Sequence, residues 1–174
     1  MEPLNSVPAI LRRISMVLSI LIMLAATVWL LIIWPSVPES VPSHFSADGT
    51  PSSFAGKKSL FAPLIIGWMV AALFMVMEFF PQYWNIPAKS SGFRVSIGKI
   101  GSKSNNGAQA TPGAIESMRS MMAVDRVMIS LLFAVITICS AKGKALPVWT
   151  MIVIIAAMAI GSAFFSIQAS RRNS

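Results

Sequence analysis

Charge is scarce in this chain. Asp, Glu, Lys and Arg make up 11% of its 174 residues, against about 25% in a typical soluble domain. Cysteine is nearly absent: Cys139 stands alone inside an apolar run, so neither an intrachain disulfide nor a cysteine metal cluster can form. There is one histidine, His44, and there are six carboxylates in all. A protein metal site ordinarily draws on three or four ligands, so no metal and no cofactor is expected. Acid is outnumbered by base, giving a net charge of +8. The cations flank apolar segments, with no basic stripe or interleaved aromatics, which argues against nucleic acid as a partner. What remains is apolar: 55% of the residues are hydrophobic, and the lipid bilayer is the expected environment.

Four uncharged runs are candidates to cross it. Residues 14–34 and 145–167 are long enough for a helix to span about 30 Å of hydrocarbon. Residues 60–77 carry Pro63 near their start, where the first helical turn has no internal donor to lose. The run 127–141 is short and is expected to draw its first turns from 118–126, with Arg119 and Arg126 snorkelling toward headgroups. Lipid cannot satisfy open backbone groups, and barrel-type alternation is absent. The fold class is therefore all-α, a polytopic four-helix membrane bundle made of two helical hairpins. The apolar core after Arg12 and Arg13 is too long for a secretory signal and lacks an Ala-x-Ala site, so an uncleaved first helix is expected. Arg12, Arg13, the cations from Lys89 to Arg126, Arg171 and Arg172 would lie on one side, and Lys57, Lys58, Lys142 and Lys144 on the other. The positive-inside bias then puts both termini in the cytoplasm of a cell-membrane protein. The expected organisation is a cytoplasmic start at 1–13, a membrane unit at 14–88, a basic cytoplasmic loop at 89–116, a second hairpin at 117–168 and a tail at 169–174.

Gly, Ser, Asn and Lys dominate the middle loop, as in a flexible linker. Phe93, Val95 and Ile97 alternate there with Arg94, Ser96 and Gly98, a strand-like pattern beside basic residues. The loop is a candidate contact for anionic headgroups or a cytoplasmic regulator.

The polar loop at 35–61 holds the chemistry. Pro35, Pro38, Pro42 and Pro51 predict a stiff, polyproline-like exit from the first helix. Asp48-Gly49 predicts a turn that doubles the loop back, bringing His44 and Phe45 near it and Lys57 and Lys58 to the end of the second helix. His44, Phe45, Asp48, Gly49, Lys57 and Lys58 are the candidate ligand-binding residues. A histidine that bonds the loop to itself is the simpler reading of His44, since no second histidine exists.

These residues resemble a known pattern. Val-Pro-x-His-Phe at 41–45, Asp48-Gly49-x-Pro51, Lys57-Lys58, the proline-bearing helix and Tyr83-Trp84-Asn85-Ile86-Pro87 are similar to the N-terminal membrane domain of SdpI-type immunity proteins. Ser46 stands where that family usually has asparagine, and Ser52 or Ser53 where an aspartate often follows. The resemblance covers about 15–88 and implies a bacterial multi-pass protein. The named member protects its producer from a secreted toxic peptide and captures a cytoplasmic repressor.

Two further expectations concern packing. Gly67 and Ala71, and Ala157 and Gly161, are small pairs four residues apart that would let helices approach closely. Glu78 reads as the one acid beside an apolar span, and it is expected to pair with Arg126 as a structural clamp, no deeper acid being available for a relay. Neither paired carboxylates nor an activated nucleophile is evident. The expected function is non-enzymatic: an envelope sensor or immunity-type protein that recognises an extracellular peptide or envelope component. The alternative is a small transporter or an accessory subunit of a transport or regulatory complex.

Overall fold

A computed structural model describes residues 7–80 and 111–172. The strand-like 93–97 segment, the rest of 89–110 and the aromatic motif at 83–87 lie outside them. Four helices are long and apolar enough to cross a membrane: α1 (Val7–Ile33), α2 (Phe61–Phe79), α3 (Pro112–Ala141) and α4 (Val148–Arg172). The chain is a multi-pass membrane protein of helical-bundle form. Apolar side chains line the outward faces of the helices, among them Leu11, Leu21, Ile32 of α1, Met69 of α2 and Ile160 of α4. Lipid is the only solvent in which that surface is inexpensive.

The third helix differs most from its expected form. It begins at Pro112, capped by Thr111, whose Oγ1 accepts the Ala114 N–H at 3.3 Å. Proline in the first turn has no donor to waste, so the charged stretch before Val127 continues the helix, and 112–116 belongs to it and not to the loop. At about 1.5 Å per residue α3 is about 45 Å long, longer than the hydrocarbon it crosses. It is also the centre of the bundle, packing against each of the other three helices. Its buried positions at Ala123, Val127, Ser130, Ala134, Thr137 and Ala141 recur at helical spacing and are mostly small. The hydroxyls of Ser130 and Thr137 donate to the carbonyls of Arg126 and Phe133 one turn back, so the polar atoms in this seam are satisfied without a partner helix.

Of the two small-residue pairs, one works as expected. A Cβ at Gly67 would stand 2.7 Å from Met23 Cε and 2.8 Å from Phe133 Cβ, so α2 touches α1 and α3 at that point through its missing side chain. Gly161 faces open space, with no atom within 4 Å of a Cβ built there. The α3–α4 contact is made elsewhere, by Ser162, Ser166 and Gln168.

Between α1 and α2 the chain does not form a polyproline arm. One 3₁₀ turn at Trp34–Ser36 leads to strand β1 (Ser40–Phe45), which pairs antiparallel with β2 (Pro51–Gly56). Pro42 is tolerated because each strand of a two-stranded ribbon keeps one free edge. The register shifts on either side of His44. A second 3₁₀ turn, Lys57–Leu60, feeds α2. Val37, Val41 and Leu60 are buried with Met23, Ala26, Leu30, Leu64, Ala134 and Ala141, so the hairpin caps one end of the bundle core.

Candidate functional site

The hairpin turn is built from local chemistry. Asp48 Oδ1 accepts the backbone N–H of Thr50 at 3.0 Å and its hydroxyl at 2.7 Å. The Thr50 hydroxyl, and then its amide, hold the Asp48 carboxyl below the usual aspartate range. Gly49 follows at φ 81°, left-handed backbone that glycine adopts without a Cβ penalty. Its carbonyl accepts the Leu146 N–H at 2.8 Å. A Cβ at this position would overlap the Leu146 carbonyl and stand 2.7 Å from Val148 Cγ2. Gly49 thus lets the hairpin tip sit directly on the α3–α4 linker.

The six expected ligand residues do not form one cluster. Phe45, Asp48 and Gly49 are at the tip, with His44 next to them; Lys57 and Lys58 are at the base, beyond the Ser40–Gly56 pair. His44 is exposed, and its Nδ1 lies 2.9 Å from Ser53 Oγ across the hairpin, with Ser43 Oγ 3.2 Å from the same hydroxyl. Among the described residues the partners of this ring are the hydroxyls of Ser43 and Ser53. Lys57 Nζ is 2.6 Å from Glu39 Oε1 and 5.6 Å from the centre of the Trp34 ring, which packs on Phe61. Lys57 is therefore tied into the fold, whereas Lys58 is exposed.

A second polar group lies at the opposite end. Arg126 Nη1 donates to Glu78 Oε2 at 2.6 Å, joining α3 to α2. Arg12 of α1 reaches Glu78 at 3.6 Å and is bonded to Glu116 of α3. Arg119 Nε adds a bond to the Glu78 carbonyl. The ion pairs of Arg12 and Arg126 with Glu78 and Glu116 so tie three helices together. Counting about 1.5 Å per residue from Ala141, Arg126 lies about 22 Å from the hairpin end, near the far boundary of the hydrocarbon. Its guanidinium is fully buried, and its Nε and Nη2 have no partner among the described residues.

Asp125 corrects the reading of Glu78 as the one acid beside an apolar span. It is 6% exposed, its Oδ2 accepts from Ser162 of α4 at 2.9 Å, and its Oδ1 has no partner among the described residues. Counting only the uncharged run from 127 hid it. The signal was the small-residue repeat, which continues through Ala123 and marks one unbroken helix. Among the described residues no group of three or more His, Cys, Asp or Glu side chains is arranged to hold a metal.

Comparison with known proteins adds a domain and a relative. Residues 21–75 match a domain of unknown function, DUF1648, a segment that contains the whole hairpin, the later part of α1 and most of α2. An uncharacterized protein of Archaeoglobus fulgidus is 35% identical over 85 residues, covering 43% of this chain and 44% of that protein. The chain thus spans less than half the length of this relative. No solved structure matches.

Proposed function

We propose that this membrane protein, which carries a domain of unknown function between residues 21 and 75, is a non-enzymatic envelope sensor of the immunity type. Its hairpin is the receptor, recognising an extracellular peptide or envelope component at the tip, where His44 and Asp48 are exposed beside a half-buried Phe45. The observation that carries the reading is the seat of Gly49 on Leu146 and Val148. A ligand that displaces the tip must disturb the α3–α4 linker, and α3 runs from there to the charge cluster at the other end. Recognition and response are then joined by one helix, as a two-state sensor requires. The likeness of the 41–58 motif to SdpI-type immunity proteins supports the class of ligand. The basic segment that precedes α3, from residue 89, is the candidate contact for a cytoplasmic regulator.

The test is survival of cells with and without the protein when challenged with a secreted membrane-active peptide from the same strain. Wild type is expected to protect, and His44→Ala and Asp48→Ala to lose protection at equal membrane abundance. Absence of protection by wild type would remove the immunity reading. A second reading, an accessory subunit of a transport complex, draws on Asp125 and Arg126, since ionisable groups buried in a span commonly mark a substrate or proton path. It predicts that Asp125→Asn alters transport while leaving peptide protection intact.

A further inference from the structure

The hairpin end of the bundle also contains a cleft that the sensor reading does not use. It lies between the end of α1 and the start of the α3–α4 linker, with a volume of about 440 Å³, within the ~300–1,000 Å³ range of small-molecule sites. Trp29, Ile33, Val37 and Ala141 give it apolar walls, and Lys142 and Lys144 stand at its edge. Lys142 Nζ is 5.5 Å from the centre of the Trp29 ring.

The charge balance at this end is uneven. Glu39 is engaged by Lys57, and Asp48 by Thr50. No carboxylate pairs with Lys142 or Lys144 among the described residues, and both are exposed. Helix termination accounts for part of this: Lys142 caps α3, where a cation complements the free carbonyls, and Gly143 at φ 63° turns the chain. It does not account for Lys144, nor for an apolar cleft beside both ammonium groups. The cleft sits at a membrane boundary, because Trp29 and Trp34 at the end of α1 and Trp149, 79% exposed at the start of α4, mark the level where tryptophan rings meet headgroups.

We propose that this cleft binds one anionic phospholipid, with its phosphodiester between Lys142 and Lys144 and the top of an acyl chain against Trp29 and Ile33. Two cations select for the phosphate, and the apolar walls require that the phosphate arrive on a lipid and not as a free ion. A bound lipid would fix the 3₁₀ turn that leads into β1, and so hold the hairpin at its root. The inference stands without the sensor reading, since it rests on charge and shape alone.

The experiment is a titration of the purified full chain in neutral detergent, followed by native mass spectrometry, with phosphatidylglycerol, phosphatidylcholine and glycerol 3-phosphate as separate probes. One phosphatidylglycerol per chain is expected to survive, with at least tenfold weaker binding in the Lys142→Gln/Lys144→Gln double variant. Lys58→Gln, which removes an exposed lysine elsewhere on the same end, is expected to change affinity less than twofold. Unchanged phosphatidylglycerol affinity in the double variant would overturn the site. An equal loss in Lys58→Gln would reduce it to diffuse surface charge. Phosphatidylcholine binding as tightly would remove the anion selectivity, and glycerol 3-phosphate binding as tightly would make a free phosphate the ligand.

Discussion

Arg126 carries a full charge to a position with no solvent exposure, and Glu78 at 2.6 Å is the group that makes this tolerable. A buried ion pair adds little over an apolar pair, yet removal of one partner leaves an uncompensated charge and costs on the order of 3 kcal/mol. Glu78→Lys should therefore lower the thermal midpoint of the detergent-solubilised protein sharply, and adding Arg126→Glu should recover much of the loss. No recovery in the double variant would mean that the Glu78 carboxylate acts through Arg12 instead. Asp48 is the reverse case, a solvated carboxylate held by Thr50. Its folded pKa is depressed, so its contribution to the turn is complete above the ordinary aspartate pKa and is lost as pH falls through the lower folded value. A titration followed at the Thr50 amide resonance should give a midpoint below that of a free aspartate, and Asp48→Asn should abolish the transition. A midpoint at or above the free value would mean that the turn is open in solution.

At the scale of the elements, the same residue type has opposite consequences on two helices. Gly67 is where α2 meets Met23 of α1 and Phe133 of α3, and the Phe133 Cβ cannot swing aside. Gly67→Ala should cost about 1–3 kcal/mol through overpacking. Gly161 of α4 meets nothing within 4 Å, so Gly161→Ala should be neutral or stabilising by up to about 1 kcal/mol, the helix propensity difference. Steric trapping or thermal denaturation of the two variants in the same detergent measures both. Equal effects would show that the α1–α2–α3 contact is not close-packed at Gly67. The hairpin belongs to this scale too. The Asp48-Gly49 turn was legible because both residues have local reasons to be there. The strands beside it were not, since Pro42 and the alternation-poor Ser40–Phe45 run acquire their partner only through the return of the chain.

For the whole molecule, the imbalance of Lys and Arg between the two ends predicts that the hairpin faces the cell exterior. In a Cys139→Ser background, a cysteine at exposed Ser52 of β2 should react with a membrane-impermeant maleimide on intact cells, and one at Arg171 only after permeabilisation. The opposite pattern would invert the topology and move the proposed receptor surface to the cytoplasm. Among the four helices α4 is the least enclosed and α3 the most. It is joined to the rest through α3 and, at its start, through the hairpin tip. A response that moves one helix most easily moves this one.

The residue pattern alone marks four helices, among the described residues, as long and apolar enough to cross a membrane. Those properties follow from run length and the cost of unsatisfied backbone in lipid, which act locally. It also placed Glu78 and Arg126 at one depth, because helical rise converts position along the chain into distance. Tertiary packing settles that Asp125 is buried against Ser162, that Gly161 packs on nothing and that Gly49 rests on Leu146. Each depends on which face of one helix meets which face of another. That choice is made by close packing among residues far apart in the chain, and no local pattern encodes it.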